Sequence, residues 1–120
     1  MAMEQQRDVI RENFKRGVMD LLITYMLSVE DMYGYQISLE IDKLSEGLIT
    51  IKLGSLYAPL FRLVEKGFVT ERTELVGKKR TRRYYHLTED GLKYLDILKE
   101  EYGFMCAGVD KVMTFSGTKK

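Results

Sequence analysis

Residues 53–69, LGSLYAPLFRLVEKGFV, constrain the fold most, because a helical pattern, a helix stop and the start of a strand follow one another there without a gap. The apolar residues recur at three- and four-residue steps, which places them on one helical face. They are Leu53, Leu56, Leu60, Leu63 and Val64. Gly67 is placed to end the helix, and Phe68 and Val69 begin an extended run. The pattern predicts a helix that packs on the core and leads directly into a strand.

The opposite face of this helix is small near its start and charged further along. Its residues are Ser55, Ala58, Arg62 and Glu65. A helix that lies in a DNA groove has this arrangement, because its first turns approach the bases and its later turns reach phosphates. Lys52 and Ser55 are therefore candidates for contacts with base edges, and Arg62 for a phosphate contact. An amphipathic helix with a solvated outer face has the same pattern, so this segment alone leaves both readings open.

Two extended runs, Phe68–Leu75 and Thr81–Leu87, flank a glycine-containing loop, which predicts a β-hairpin after this helix. The tip and the returning strand read KKRTRR from Lys78 to Arg83, five basic residues in six. A charged edge can simply protect a hairpin from pairing with other sheets. Because the run follows a candidate groove-binding helix, the pattern favours phosphate contacts by four side chains. These are Lys78, Lys79, Arg80 and Arg82.

The charge of the chain is strongly partitioned although its formal net value is only +1. Residues 50–83 hold nine Lys and Arg against three Asp and Glu, whereas residues 1–49 hold five against nine. Binding to nucleic acid needs a basic face rather than a basic protein, so the near-neutral total does not argue against it.

The length of 120 residues and the hydrophobic content of 45% fit one compact domain. No apolar run is long enough to span a membrane and the N-terminal segment is charged, which predicts a cytoplasmic protein with no membrane partner. The single cysteine, Cys106, and the single histidine, His86, make a metal site unlikely to form. No enzyme constellation is visible, so we expect neither a cofactor nor a catalytic residue.

Helices are predicted on both sides of this central region. Glu4–Val29 has a helical period, and Gly17 leaves open whether its N-terminal part is a separate or bent segment. Tyr35–Glu46 is a second helix, after which Leu48–Ile51 is either a small strand or an extended link. Pro59 is expected either to lie near the start of the third helix or to kink it.

The last helix is predicted to begin after Thr88, whose side chain can cap it. Its apolar residues alternate steps of three and four, a seven-residue repeat that suits helix pairing. They are Leu95, Leu98, Tyr102, Met105, Val109 and Val112. Because Gly103 and Gly108 weaken the helix on its own, we expect this seam to pack both on the first helix and on a second subunit. The residues from 115 onward have no pattern and are expected to form a frayed tail.

Three blocks in this order and spacing resemble the PadR family of bacterial winged-helix transcription regulators. They are YGYQI at 33–37, GSLYAPLFRLVEKGFV at 54–69 and RRYYHLTEDG at 82–91. The single C-terminal helix is similar to that of the compact subfamily. The resemblance implies a homodimeric repressor whose third helix enters the major groove, whose wing follows the backbone and whose last helix exchanges with the partner subunit.

In some compact members of that family, aromatic residues between the subunits bind planar hydrophobic drugs. Tyr102 stands where those members have a tryptophan. An effector site of this kind would use Tyr94, Tyr102, Phe104 and Met105.

From their residue type alone, Tyr33 and Tyr57 can each bury a ring and offer a hydroxyl to a phosphate, or simply fill the edge of the core. His86 is expected to be a structural strand residue.

The expected fold is mainly α with a small β-hairpin, a winged helix-turn-helix over 4–88 and a dimerisation helix over 89–114 in one domain. The expected function is a homodimeric, sequence-specific DNA-binding repressor that recognises a double-stranded operator and is released by a small hydrophobic or aromatic effector. The alternative is a winged-helix module that binds an acidic protein partner without reading DNA sequence. Steep salt dependence of binding to duplex DNA distinguishes the two.

Overall fold

The computed structural model describes residues 2–117, and their order of elements is helix, strand, two helices, hairpin and helix. The helices are α1 (Met3–Val29), α2 (Gly34–Leu44), α3 (Leu53–Glu65) and α4 (Glu89–Met113). The strands are β1 (Met32–Tyr33), β2 (Val69–Leu75) and β3 (Thr81–Leu87). Four helices and one small sheet confirm the predicted mainly α, winged-helix fold.

The sheet has three antiparallel strands in the order β1-β3-β2. The hairpin pairs Val69 with Leu87 and Leu75 with Thr81, as its two predicted runs require. The edge strand β1 is a third strand that the sequence interpretation did not predict. It is two residues long and pairs Met32 with Tyr85, so neither periodicity nor length marks it in the sequence.

The core lies where α1, α2 and α3 meet the sheet and the start of α4. Its most buried side chains from α3 are Leu56, Leu60 and Leu63, which confirms the predicted inward face, whereas Leu53 and Val64 lie at its edges. The other elements contribute Ile23, Met26, Leu27, Met32, Ile37, Ile41, Ile51, Val69, Tyr85, Leu87 and Leu95. One face of each element is therefore buried against the others.

α1 is a single continuous helix, which answers the question that Gly17 left open. A Cβ at Gly17 would have no atom within 4 Å, so this glycine is not required by packing. The C-terminal half of α1 carries the buried residues, and residues 3–14 are all exposed. Tertiary packing of one half thus supports a helix whose other half projects from the core.

α2 ends at Leu44, two residues before the predicted end, and Glu46 and Gly47 both have positive φ in the turn that follows. The link to α3 contains no strand, so the extended alternative is correct for residues 48–51. α3 begins at Leu53, which makes Pro59 an interior residue of the helix rather than a residue near its start. Pro59 removes one backbone hydrogen bond but is buried in the core.

The end of α3 has the hydrogen bonds of a Schellman motif. The Phe68 N–H donates to the Leu63 carbonyl at 3.0 Å, and the Gly67 N–H donates to the Val64 carbonyl at 3.0 Å. Gly67 has φ +80°, a conformation that glycine adopts without steric cost. The predicted stop at Gly67 is confirmed, and it directs the chain straight into β2.

The start of α4 is fastened to the end of α3. The Thr88 hydroxyl accepts a hydrogen bond from the Gly91 N–H at 3.0 Å, as predicted for a cap, and donates one to the Gly67 carbonyl at 2.8 Å. A Cβ at Gly91 would lie 2.1 Å from the Phe68 carbonyl oxygen, so only glycine permits this approach. The end of α3 and the start of α4 are therefore held together by a capping side chain and a close backbone approach.

The tail assignment is only partly covered by the structure. Residues 115–117 have no regular secondary structure, and residues 118–120 lie outside the described residues.

Candidate nucleic-acid interface

The exposed face of α3 is the surface that the sequence proposed for a DNA groove. Ser55, Ala58, Arg62 and Glu65 are all exposed, and Leu56, Leu60 and Leu63 hold the helix on the core from the other side. The N-terminus of α3 presents Lys52 as its cap residue, with the Ser55 N–H bonded to the Lys52 carbonyl at 2.9 Å. Lys52 and Ser55 thus lie together at one exposed end of the helix.

A groove of about 390 Å³ lies between the start of α2, α3 and the hairpin. It brings together three residues predicted to bind DNA, namely Tyr33, Tyr57 and Arg82. The Arg82 guanidinium carbon lies 4.1 Å from the centre of the Tyr33 ring, a cation–π contact that holds its charge at the groove wall. A tyrosine hydroxyl and a guanidinium at one concave surface are typical donors to a phosphate.

Gly34, at the start of α2, lies close to α3 beneath this groove. A Cβ built on Gly34 would lie 3.4 Å from a methyl carbon of Leu53, 3.5 Å from the Tyr57 ring and 3.6 Å from the Tyr57 hydroxyl. The Tyr57 ring therefore rests against the backbone at the start of α2, and about half of the side chain remains exposed. The neighbouring Tyr33 makes an edge contact with Tyr84, with ring centres 5.6 Å apart. Both tyrosines combine a supported ring with an accessible face.

The hairpin loop carries the most exposed basic residues. Lys78, Lys79 and Arg80 are all exposed, and the loop closes with the Val76 N–H bonded to the Arg80 carbonyl at 2.8 Å. Gly77 has φ +119°, which only glycine adopts readily. The hairpin, residues 69–87, is called the wing below. Its tip is thus a compact, positively charged loop beyond the sheet.

Ion pairs divide the basic residues of the wing into two groups. The Arg72 guanidinium pairs with Asp31 and with Glu74, each at 2.6 Å, and Arg83 pairs with Glu71 at 3.8 Å. In the part of the chain that the structure describes, the remaining basic residues of α3 and the wing have no ion-pair partner. They are Lys52, Arg62, Lys66, Lys78, Lys79, Arg80 and Arg82. A cation without a partner in its own chain is the one whose charge remains available to phosphates.

Arg62 stands apart from the groove. It lies in the last turn of α3, and its positive charge acts on the Tyr94 hydroxyl of α4. Burial raises the pKa of Tyr94, and the Asp20 charge and hydrogen bond raise it further, while Arg62 opposes them. The structure therefore places Arg62 toward α4 and does not bring it together with Tyr33, Tyr57 and Arg82.

Asp31 is a residue that the sequence interpretation missed. Its carboxylate lies 2.7 Å from His86 Nδ1 and 2.6 Å from the Arg72 guanidinium. Burial raises the pKa of this carboxyl, but the hydrogen bonds from His86 and Arg72 outweigh burial and leave the pKa lowered. His86 is exposed on β3 and Tyr85 beside it is buried, as strand alternation predicts. Asp31 is distant in sequence from both of its partners, so no local pattern could have revealed the cluster.

The four candidate effector residues are not gathered in a single chain. Tyr94 stacks on Phe68, with ring centres 4.2 Å apart, and its hydroxyl donates to Asp20 at 3.1 Å, so it belongs to the junction of α3 and α4. Phe104 and Met105 line an apolar depression further along α4. Tyr102 lies between Tyr94 and Phe104 in the chain, and the neighbouring Cys106 thiol raises the pKa of its hydroxyl.

The predicted seam of α4 is buried at one end and open at the other. Leu95 is 2% exposed against the core and Leu98 is partly buried, whereas Tyr102, Met105, Val109 and Val112 are 46–74% exposed. The first helix thus covers only the N-terminal end of the seam. The rest is an apolar helix face of about three turns that the other residues in the range 2–117 leave exposed.

Two further features bear on function. Within residues 2–117, no group of His, Cys, Asp and Glu side chains is placed to hold a metal ion. None of the helices in that range is long and apolar enough to cross a membrane.

Comparison with known proteins agrees with this geometry. The sequence profile of the transcriptional regulator PadR-like family matches residues 23–97. A protein of Lysinibacillus sphaericus is 31% identical over 88% of this chain and 96% of its own. A transcriptional regulator from Clostridium thermocellum has a similar structure, with a TM-score of 0.77 and 30% identity over 82% of this chain and 96% of its own. Bacillus subtilis PadR, solved in complex with operator DNA, has a TM-score of 0.62 and 28% identity over 66% of this chain and 45% of its own.

Proposed function

The chain belongs to the PadR-like family of transcriptional regulators, and we propose that it acts as a homodimeric repressor that binds a double-stranded DNA operator in the cytoplasm. Residues 4–88 form the DNA-binding part in this proposal, and residues 89–114 form the dimerisation helix. α3 enters the major groove, and the wing follows the phosphate backbone. A member of the same family, Bacillus subtilis PadR, has been solved with operator DNA bound, which supports the DNA-binding role.

The observation that carries the proposal is the set of unpaired basic residues around the exposed face of α3. Lys52 stands at the N-terminus of that helix, Arg82 lies at the groove beside it, and Lys78, Lys79 and Arg80 form the tip of the wing. Each of the other two wing arginines already has a carboxylate partner. Because the unpaired charges lie at the N-terminus of α3 and on the hairpin that follows it, they suit a duplex whose groove receives the helix and whose backbones flank it.

Within this arrangement, Tyr33 and Tyr57 position the protein and do not read sequence. Their rings rest on Arg82 and on the start of α2, so their hydroxyls are held at the groove with little freedom. A phosphate in the groove would receive donors from both tyrosines and from the guanidinium. Contacts with base edges are assigned to Lys52 and Ser55, because the N-terminal residues of such a helix lie deepest in the major groove. Arg62, near α4, is assigned to a phosphate contact at the C-terminal end of α3.

The open end of the α4 seam supports a homodimer. Tyr102, Met105, Val109 and Val112 form an apolar stripe with a helix-pairing repeat, and a soluble monomer rarely exposes such a stripe. The projecting half of α1 adds exposed apolar side chains, including Val9, Ile10 and Phe14. Pairing of these two helices with their copies would cover both surfaces and present two α3 helices to half-sites about one turn of DNA apart, roughly 34 Å.

A small aromatic effector is the regulatory part of the proposal. Phe104, Met105 and Tyr102 are exposed on the same stretch of α4, so a pocket lined by them is complete only when the partner subunit contributes its copies. The Tyr94 ring stacks on Phe68, so Tyr94 would not contact the effector and would instead transmit a change in α4 to the end of α3. Thr88 and the close approach at Gly91 fasten α4 to the end of α3, so a change in the α4 pairing would move α3 with it.

The effector proposal is tested by titration with planar cationic dyes, followed by tyrosine fluorescence and by release of operator DNA. Binding that is lost in Tyr102→Ala supports the proposed pocket. No binding at high micromolar dye, or binding that Tyr102→Ala leaves unchanged, contradicts it while the dimer and DNA proposals stand.

The DNA proposal is tested by selecting bound fragments from the source genome and measuring affinity for a selected duplex and a random duplex over a range of salt. We expect preference for the selected duplex and a steep decrease in affinity with salt. Equal and salt-insensitive binding to both duplexes would instead favour the alternative, a winged-helix module that binds an acidic protein partner.

A further inference from the structure

One exposed line of α3 contains three residues whose side chains form no hydrogen bond. Gly54, Ala58, Phe61 and Glu65 follow one another at four-, three- and four-residue steps, so they lie one above another along the helix. All four are exposed, and Phe61 is 65% exposed although it is a large aromatic residue. A Cβ at Gly54 would have no atom within 4 Å, which places this line in open space.

Phe61 has no structural partner that would explain it. The aromatic pairs of the described residues are Tyr33 with Tyr84 and Phe68 with Tyr94, and Phe61 belongs to neither. It follows Tyr57 by one helical turn, so it stands on the same side of α3 as the tyrosine that lines the groove. Its surroundings are therefore those of the proposed DNA-contacting surface and not of the core.

We infer that Phe61 determines sequence preference by apolar contact with the 5-methyl groups of thymines in the major groove. This inference rests on the proposed function, in which α3 occupies that groove. The thymine methyl is the one apolar group that base pairs present in the major groove, and phenylalanine and alanine are side chains that contact it. Phe61, with the Ala58 methyl one turn earlier, supplies such a surface between the unpaired charges of Lys52 and the wing.

The chemistry of the side chains along this line of α3 supports the assignment. Glycine, alanine and phenylalanine side chains cannot donate or accept hydrogen bonds, so these three positions of α3 cannot read the donor and acceptor pattern of a base pair. Hydrogen-bonding readout is left to Lys52 and Ser55 at the N-terminus. The operator is therefore expected to have thymines opposite the middle of α3 in each half-site.

The test compares a selected operator with the same duplex in which deoxyuridine replaces every thymidine, which removes only the methyl groups. Loss of one buried methyl contact weakens binding about fourfold, so two half-sites should lose more than about tenfold. A random duplex with the same replacement gives the reference ratio. Phe61→Ala should bind the thymidine operator about as weakly as the unmodified protein binds the deoxyuridine operator and should not distinguish the two.

Two further variants keep the result interpretable. Phe61→Leu preserves an apolar side chain and should retain part of the discrimination. Leu48→Ala removes an apolar side chain that is 79% exposed in the link before α3 and should leave the thymidine-to-deoxyuridine ratio unchanged. Circular dichroism and thermal melting establish that each variant is folded.

Several outcomes would overturn the inference. They are an equal affinity of the unmodified protein for both operators, an unchanged ratio in Phe61→Ala, or a change of subunit association in Phe61→Ala that places the ring in a protein interface. These results differ from failure of the proposed function, in which the unmodified protein has no preference for any selected duplex and no steep salt dependence.

Discussion

The wing offers the sharpest test of how this chain uses charge. Lys79 and Arg80 are exposed at its tip without ion-pair partners, and we predict that each contacts a phosphate. Four such residues per subunit, counting Lys78 and Arg82, correspond to about eight phosphate contacts in a dimer. These wing contacts should then contribute roughly −7 to the slope of the logarithm of affinity against the logarithm of salt concentration, since each contact contributes about −0.9.

Replacing Lys79 and Arg80 by alanine removes four of these contacts from the dimer and should flatten the slope by about 3.6. Between 50 and 200 mM salt, the wing contacts should weaken binding by roughly four orders of magnitude in the unmodified protein and by roughly two in the variant. Operator and random duplexes should be affected about equally, because phosphate contacts carry no sequence information. Fluorescence anisotropy with labelled duplexes at several salt concentrations measures both quantities.

The matched control is Arg72→Ala with Arg83→Ala, which removes the same formal charge from the wing. Both arginines are held by carboxylates of their own chain, so this pair should change the slope by less than about one unit. An unchanged slope in the Lys79 and Arg80 variant would refute the phosphate contacts. An equal flattening in the control would refute the reasoning from ion pairing.

Three other predictions concern the recognition helix, the subunit interface and the turn before β1. Replacing Lys52 or Ser55 by alanine should change the ratio of operator to random-duplex affinity more than the random-duplex affinity itself, and a uniform loss would reassign them to phosphate contact. Leu98→Glu or Met105→Glu should dissociate or unfold the dimer, as light scattering and circular dichroism can measure, because a charge would enter an apolar seam. Asp31→Asn should lower the free energy of unfolding in urea by at most about 1 kcal/mol at pH 7, since the ion pairs are partly exposed. Because folding lowers the pKa of Asp31 from its ordinary value of 3.8, its contribution is present above that value and should be lost as the pH falls below it.

Local chemistry explains why much of the fold was predictable. The stop at Gly67, the cap at Thr88 and the two hairpin runs each depend on residues within a few positions of one another, and all three agree with the structure. The continuity of α1 through Gly17 was not predictable in the same way, because a glycine in a helix costs about 1 kcal/mol and packing of the other residues decides whether the helix continues.

The candidate site also has features that the local sequence predicts and features that depend on tertiary packing. The sequence alone predicts the basic wing, the exposed and buried faces of α3 and the apolar seam of α4, because each follows the period of one helix or strand. Only the tertiary structure brought Tyr33, Tyr57 and Arg82 to one groove, paired Asp31 with His86 and Arg72, and drew Tyr94 away to Phe68. The physical reason is that periodicity determines which side of an element a residue occupies, whereas its partner depends on how separate elements pack. Contacts between residues far apart in the chain leave no spacing by which a single sequence could reveal them.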